Sequence, residues 1–184
     1  MKQIRGDVDL SNLYFKELPS ILTNVKVTGN FDCRDNNLTS LVGAPSSVGQ
    51  DFYCSDNNLK SLVGAPRSVT GYFDCSNNPN LTSLVGAPSS VGQHFNCSGT
   101  NLTSLAGAPS SVGGEFSCDD NKLTSLAGAP SSVGGNFSCD DNKLTSLAGA
   151  PSSVGGNFYC SDNDIKFTIE QVRAVCNVTG TIFV

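Results

Sequence analysis

The residue with the most chemical potential in this chain is cysteine. Cys33, Cys54, Cys75, Cys97, Cys118, Cys139 and Cys160 recur at near-constant spacing, with Cys176 outside the series. Three uses compete for such a row. A disulfide framework suits small exported chains. A zinc site needs four ligands converging on one point, often from Cys-x-x-Cys pairs, and the sequence has no such pair. Each of the seven lies two residues after a Phe, which at strand spacing puts both side chains on one face. The leading expectation is a row of small buried hydrophobes, with an oxidation-linked role and a metal site as the alternatives.

Other groups yield blander readings. Asp119-Asp120-Asn121 and Asp140-Asp141-Asn142 each follow a Gly-Gly pair, a combination similar to calcium-binding β-roll repeats. Phe116 and Phe137 take the place where those repeats need Gly, and the period is not theirs. A solvated rim is expected instead. Thr39, Thr82, Thr103, Thr124 and Thr145 form a row that invites an ice-binding reading, but Lys60 interrupts it and no double Thr array forms. His94 is the only histidine. Catalysis there would need a paired acid or nucleophile, and nearby Cys97 is expected on the opposite strand face. The Gly pairs precede strands rather than helices, so they make no phosphate loop. No cofactor, no metal and no enzymatic activity are expected.

Composition narrows the class. With 184 residues and 38% hydrophobic content, one domain is the natural prior. Charged residues make up only 15%, Gly is abundant at 19 residues, and the formal net charge is -5. A nucleic-acid partner is disfavoured, because it would require clustered Lys and Arg. The first residues, Met1-Lys2-Gln3-Ile4-Arg5-Gly6-Asp7, lack an apolar signal-peptide core. No apolar run approaches the ~20 residues of a membrane span. The expectation is a cytoplasmic chain that contacts no membrane.

The elements that position these residues follow from an internal repeat. The pattern Phe-x-Cys-x-x-Asn-x-Leu-x-x-Leu-x-Gly-Ala-Pro-x-x-Val starts at Phe31, Phe52, Phe73, Phe95, Phe116, Phe137 and Phe158, in steps of 21 with a single 22. The longer step contains an extra residue at or beside Pro79. Residues 116–136 and 137–157 are identical. An atypical unit precedes the series, with Val8, Leu10 and Phe15 at the Phe, Cys and Leu positions. The expected organisation is a single solenoid domain: residues 1–30 as an N-terminal capping repeat, 31–165 as seven repeats, and 166–184 as a C-terminal cap. A period near 21 is too short for a helical pair and suits one strand plus a return. Thr168-Ile169-Glu170-Gln171 reads as a capping box that opens a short helix, and Thr181-Ile182-Phe183-Val184 as a short strand.

The pattern resembles the leucine-rich repeat, L-x-x-L-x-L-x-x-N-x-L. Phe52, Cys54, Asn57 and Leu59 of the second unit stand at its second Leu, third Leu, Asn and last Leu. The resemblance covers roughly residues 8–165. One departure is that the family's first Leu falls on Gly49, while the apolar residue is Val48. The family implies a mostly β, right-handed coil with one parallel sheet on a concave face, irregular convex returns and a row of buried Asn. That row is Asn36, Asn57, Asn78, Asn121, Asn142 and Asn163, each expected to bond the backbone of neighbouring turns. Thr100 takes the place in the fourth unit, so a weak point is expected there. The return also looks like the short repeats of bacterial leucine-rich effectors. Their ubiquitin-ligase activity resides in a separate domain for which these residues leave no room.

Function is then a matter of surface. In this family the strand positions between core residues line the concave sheet. They are varied and aromatic in the N-terminal half, and small and repetitive in the C-terminal half. Because interfaces favour Tyr and Arg, the expected partner-binding residues are Asp51, Tyr53, Tyr72, Asp74 and His94. The expected role is a protein-interaction module facing a basic protein partner. Stand-alone chains of this type look like bacterial or phage proteins, so a host protein is one such partner. The alternative is a structural spacer or adhesin component without a specific ligand.

Overall fold

The computed structural model describes residues 2–184, and the chain in it is a parallel β-solenoid of about nine turns. One sheet contains nine two-residue strands, from Val8–Asp9 through Phe31–Asp32, Phe52–Tyr53, Phe73–Asp74, Phe95–Asn96, Phe116–Ser117, Phe137–Ser138 and Phe158–Tyr159 to Ile182–Phe183. The register places Val8 against Phe31, each Phe against the next, and Phe158 against Ile182. Identical residues therefore stack in columns, and one turn cannot bury its apolar face without the next.

The columns are the core. All seven repeat Phe side chains are fully buried, as are Leu38, Leu59, Leu81, Leu102, Leu123 and Leu144. Ile165 closes that Leu column and is 41% exposed. From Phe31 to Phe137 the rings stack nearly parallel, with centroids 5.2–5.6 Å apart. That offset geometry favours aromatic pairs beyond simple area burial. The seven repeat Cys are buried free thiols. Cys97 Sγ donates to the carbonyl of Ser117 in the next turn at 3.3 Å, and Cys118 Sγ to that of Ser138 at 3.2 Å.

Asn ties each turn to its neighbour. Asn57 Nδ2 donates to the carbonyls of Cys33, Cys54 and Ser55 at 3.0, 3.3 and 3.0 Å, and its Oδ1 accepts from Leu38 N at 2.9 Å. Asn78, Asn121 and Asn142 repeat the pattern. The residue before each Asn turns the chain through the left-handed region: Asp35, Asp56, Asn77, Asp120, Asp141 and Asp162 have φ between +51° and +54°. Short polar side chains tolerate that conformation better than others. Asp120 and Asp141 thus have a backbone reason for being Asp.

The return is more regular than the repeat pattern alone implies. The Ser-Val dipeptides form a second parallel ladder: Ser90–Val91, Ser111–Val112, Ser132–Val133 and Ser153–Val154 pair in register and end on Asn177–Val178. Lys2–Ile4, Val25–Val27 and Ser47–Val48 form a separate block of the same kind, and Val69 bridges the two blocks singly. The departure at Gly49 and Val48 has its cause here. Val48 and its equivalents face the core, and the following residue passes so close to the previous turn that a Cβ on Gly113 would run into the carbonyl oxygen of Gly92.

Thr100 is not left short of partners. Its Oγ1 donates to Cys97 O at 3.2 Å and contacts Asn121 Oδ1 at 2.6 Å. Its Oγ1 makes no bond to Leu81 N in the preceding turn. The chain around the inserted Pro79 supplies that partner, because Leu81 N donates to Asn78 O at 2.9 Å. Insertion and substitution compensate each other, which corrects the expectation of a weak point. Among the described residues, no buried side-chain nitrogen or oxygen lacks a partner.

The C-terminal segment continues the coil. Thr168 and Gln171 form the reciprocal capping box, Gln171 N donating to Thr168 Oγ1 at 3.3 Å and Thr168 N to Gln171 Oε1 at 2.8 Å. The helix, Ile169–Val175, replaces one return and buries Val172. Asn177–Val178 and Ile182–Phe183 then add a rung to each sheet. Among the described residues no helix is long and apolar enough to cross a membrane.

Candidate functional site: an aromatic and acidic strip on the Phe-bearing sheet

Two positions per strand face outward: the residue before each Phe and the residue after it. Down the first row run Asn30, Asp51, Tyr72, His94, Glu115, Asn136 and Asn157. Down the second run Asp32, Tyr53, Asp74, Asn96, Ser117, Ser138 and Tyr159. Stacking brings residues about 21 apart in sequence to about 5 Å in space. Side-chain type along each row therefore decides the surface.

The large side chains meet in one continuous strip. Arg34 Cζ lies 5.0 Å from the centroid of the Tyr53 ring, and its Nη2 is 2.8 Å from Asp32 Oδ2. Tyr53 and Tyr72 meet edge to face at 5.8 Å and 77°, and Tyr72 and His94 at 5.6 Å and 86°. The five residues expected from sequence are thus neighbours, and Arg34, Asn96 and Glu115 join them. The signal for Asn96 and Glu115 was their place in the same two rows, and for Arg34 its place just after Cys33, two residues beyond Asp32.

The outward acids and the His are also structural. Asp51 Oδ1 accepts from Tyr72 N at 2.8 Å, and its Oδ2 accepts from the Tyr53 hydroxyl at 2.9 Å. Asp74 Oδ1 accepts from Ser76 N at 3.0 Å and from Ser76 Oγ at 2.7 Å. His94 Nδ1 accepts from Glu115 N at 3.0 Å, which leaves the proton of the neutral ring on Nε2. The same bond recurs down the row, from Asn30 N to Asp7, from Asp51 N to Asn30, from Asn157 N to Asn136 and from Thr181 N to Asn157. Sequence reasoning took this row as free surface. It is a second ladder, in which an acceptor side chain holds the backbone of the next turn.

The environment raises the tyrosine hydroxyls. Burial first, and then the hydrogen bond to Asp51, push Tyr53 up to about 12. Tyr72 is raised by burial first and next by the negative charge of Asp74, with a smaller contribution from Glu115. Both stay neutral at physiological pH and act as donors and ring faces.

Beyond His94 the face drops. Ser117 and Ser138 are small and buried, and the next ring is Tyr159, stacked on Phe183 at 4.7 Å and 3°. An open cleft of about 220 Å³ opens at this step, lined by Tyr72, His94, Asn96, Glu115 and Ser117 over Phe95. The thiols lie on the opposite strand face, buried. Among the described residues no cluster of three or more His, Cys, Asp or Glu could hold a metal ion. Comparison with protein-family models, with curated proteins and with solved structures finds no match to this chain.

Proposed function

We propose that this chain is a protein-interaction module of the leucine-rich-repeat kind, presenting the acidic, tyrosine-bearing sheet to a protein partner with a basic surface. The observation that carries the reading is the unbroken strip Arg34–Tyr53–Tyr72–His94, flanked by Asp51, Asp74 and Glu115. Tyr and Arg are the side chains that most often supply interface energy. Here their rings are held by backbone-anchored neighbours, so little ordering remains to be done on binding. A carboxylate-rich surround steers and orients a basic partner. The role is binding rather than catalysis: His94 Nδ1 is already committed to Glu115 N. A cytoplasmic bacterial or phage protein engaging a host protein fits this reading.

The test is affinity capture from lysate with the wild-type chain and with the Tyr53→Ala, Tyr72→Ala double variant. Loss of one or more basic proteins from the variant's captured set, with unchanged circular dichroism, is expected. An identical captured set would place the contact elsewhere. The spacer reading retains one observation in its favour, the identity of residues 116–136 and 137–157.

A further inference from the structure

The strip contains one cation site formed by the chain itself and, further along, a second meeting of aromatic rings and a carboxylate. At Tyr53 the chain supplies its own guest: the Arg34 guanidinium sits over the ring at 5.0 Å while Asp32 holds it at 2.8 Å. At Tyr72 the surroundings repeat. The Tyr72 and His94 rings meet at 86° and line the cleft together with Glu115, which supplies a carboxylate, and with Asn96 and Ser117. The salt bridge between Arg34 and Asp32 is the one ion pair among the described residues. Among the described residues no cation forms an ion pair with Glu115.

We propose that the corner formed by Tyr72, His94 and Glu115 is the pocket for an arginine side chain of the partner, bound as Arg34 is bound on Tyr53. This rests on the interaction reading above and makes it specific. A guanidinium suits the corner because its plane stacks on an aromatic face while its edge donates to a carboxylate. Glu115 keeps accepting from Asn136 Nδ2 at 3.2 Å through one oxygen, Oε2. The cleft of about 220 Å³ is the size of a side-chain head rather than of a drug-sized ligand. Tyr72 feels both Asp74 and Glu115 electrostatically, so the site is negative before a guest arrives.

The test is an NMR titration of the intact chain with acetyl-Gly-Arg-Gly-amide and with its citrulline analogue, which has the same shape but no charge. Saturable shifts are expected at the His94 ring and at the Glu115 and Ser117 amides with the arginine peptide. The citrulline peptide should bind at least ~10-fold more weakly, the worth of a charge-assisted contact. Glu115→Gln removes the charge yet keeps an acceptor for Asn136, and should weaken binding roughly fivefold to tenfold. Tyr72→Ala should abolish the shifts. Equal binding of the citrulline peptide, no saturable shift, or an unchanged affinity in Glu115→Gln would overturn the proposal. The two readings separate cleanly. A captured protein that depends on Tyr53 and Tyr72 but not on Glu115 removes the arginine pocket and leaves the interaction module. Arginine binding without any captured protein does the reverse.

Discussion

At the residue scale, the repeated Cys side chains behave as core atoms whose ionisation the fold suppresses. Burial pushes every one of the eight thiols above the usual value of 9.0, to about 12 for Cys160 and about 11 for Cys176. The sign of the consequence follows from linkage. Below pH ~9 both native and unfolded thiols hold their protons, and they contribute no pH dependence. Above it the unfolded chain loses protons that the native chain keeps, so stability falls as pH rises toward the native values. Each fully titrating thiol contributes about 1.4 kcal/mol per pH unit. The midpoint of urea unfolding should therefore drop steeply between pH 9 and 11, and a flat profile would contradict the buried row. A thiol reagent at neutral pH should label Cys176 and Cys160 first and the central six only at the rate of unfolding. Thiol was legible in the sequence as core from its spacing after Phe. The bond from the Sγ of Cys33, Cys75, Cys97, Cys118 and Cys139 to a carbonyl of the next turn was not, because it depends on which carbonyl the neighbouring turn presents.

At the element scale, the turn carrying Pro79 and the turn carrying Thr100 form one compensated unit. Elsewhere a Leu N–H is held by the Asn of the next turn, as Leu102 N is by Asn121 at 2.9 Å. At Leu81 the extra residue bends the chain so that Asn78 O accepts instead. Deleting Pro79 should restore the shorter unit and strand Leu81 N opposite a Thr that cannot accept it properly. The expected cost is about 1–3 kcal/mol, the penalty of an unsatisfied buried donor. Thr100→Asn should recover most of it in the deleted chain and gain little in the wild type. A double-mutant cycle by urea denaturation measures the coupling, and additive effects would dismiss the compensation. Sequence reading saw both irregularities but treated Thr100 as a deficit. Insertion and substitution are 21 residues apart in the chain, and only stacking shows that they answer each other.

At the scale of the whole molecule, stability is a sum of rungs. Residues 137–157 duplicate 116–136, so their excision joins Asn136 to Phe158 with every column preserved. The shortened chain should fold to the same circular dichroism signature, with a lower unfolding midpoint and a smaller m-value in proportion to the surface lost. The arginine corner lies outside the excised turn, so its titration should be unchanged. A spacer should tolerate the loss of one whole turn and keep its role, and loss of that role with folding intact would count against the spacer reading. An interaction module carried by Tyr53, Tyr72 and His94 would keep its role as well.

The sequence by itself determined the solenoid, its period, the Phe, Cys, Asn and Leu columns, and the capping box at Thr168, because a repeat that cannot bury its apolar face alone leaves stacking as the solution. It also marked Asp51, Tyr53, Tyr72, Asp74 and His94 as neighbours, since positions one period apart must stack. Tertiary structure decided the rest. The Ser-Val ladder brings successive turns so close that a Cβ on Gly113, Gly134 or Gly155 would meet the backbone of the previous turn. The role of Asp51 and His94 as acceptors for the next turn's backbone, and the pairing of Arg34 with Tyr53, depend on side-chain directions across turns. Periodicity fixes which residues meet, but not what their polar atoms bond.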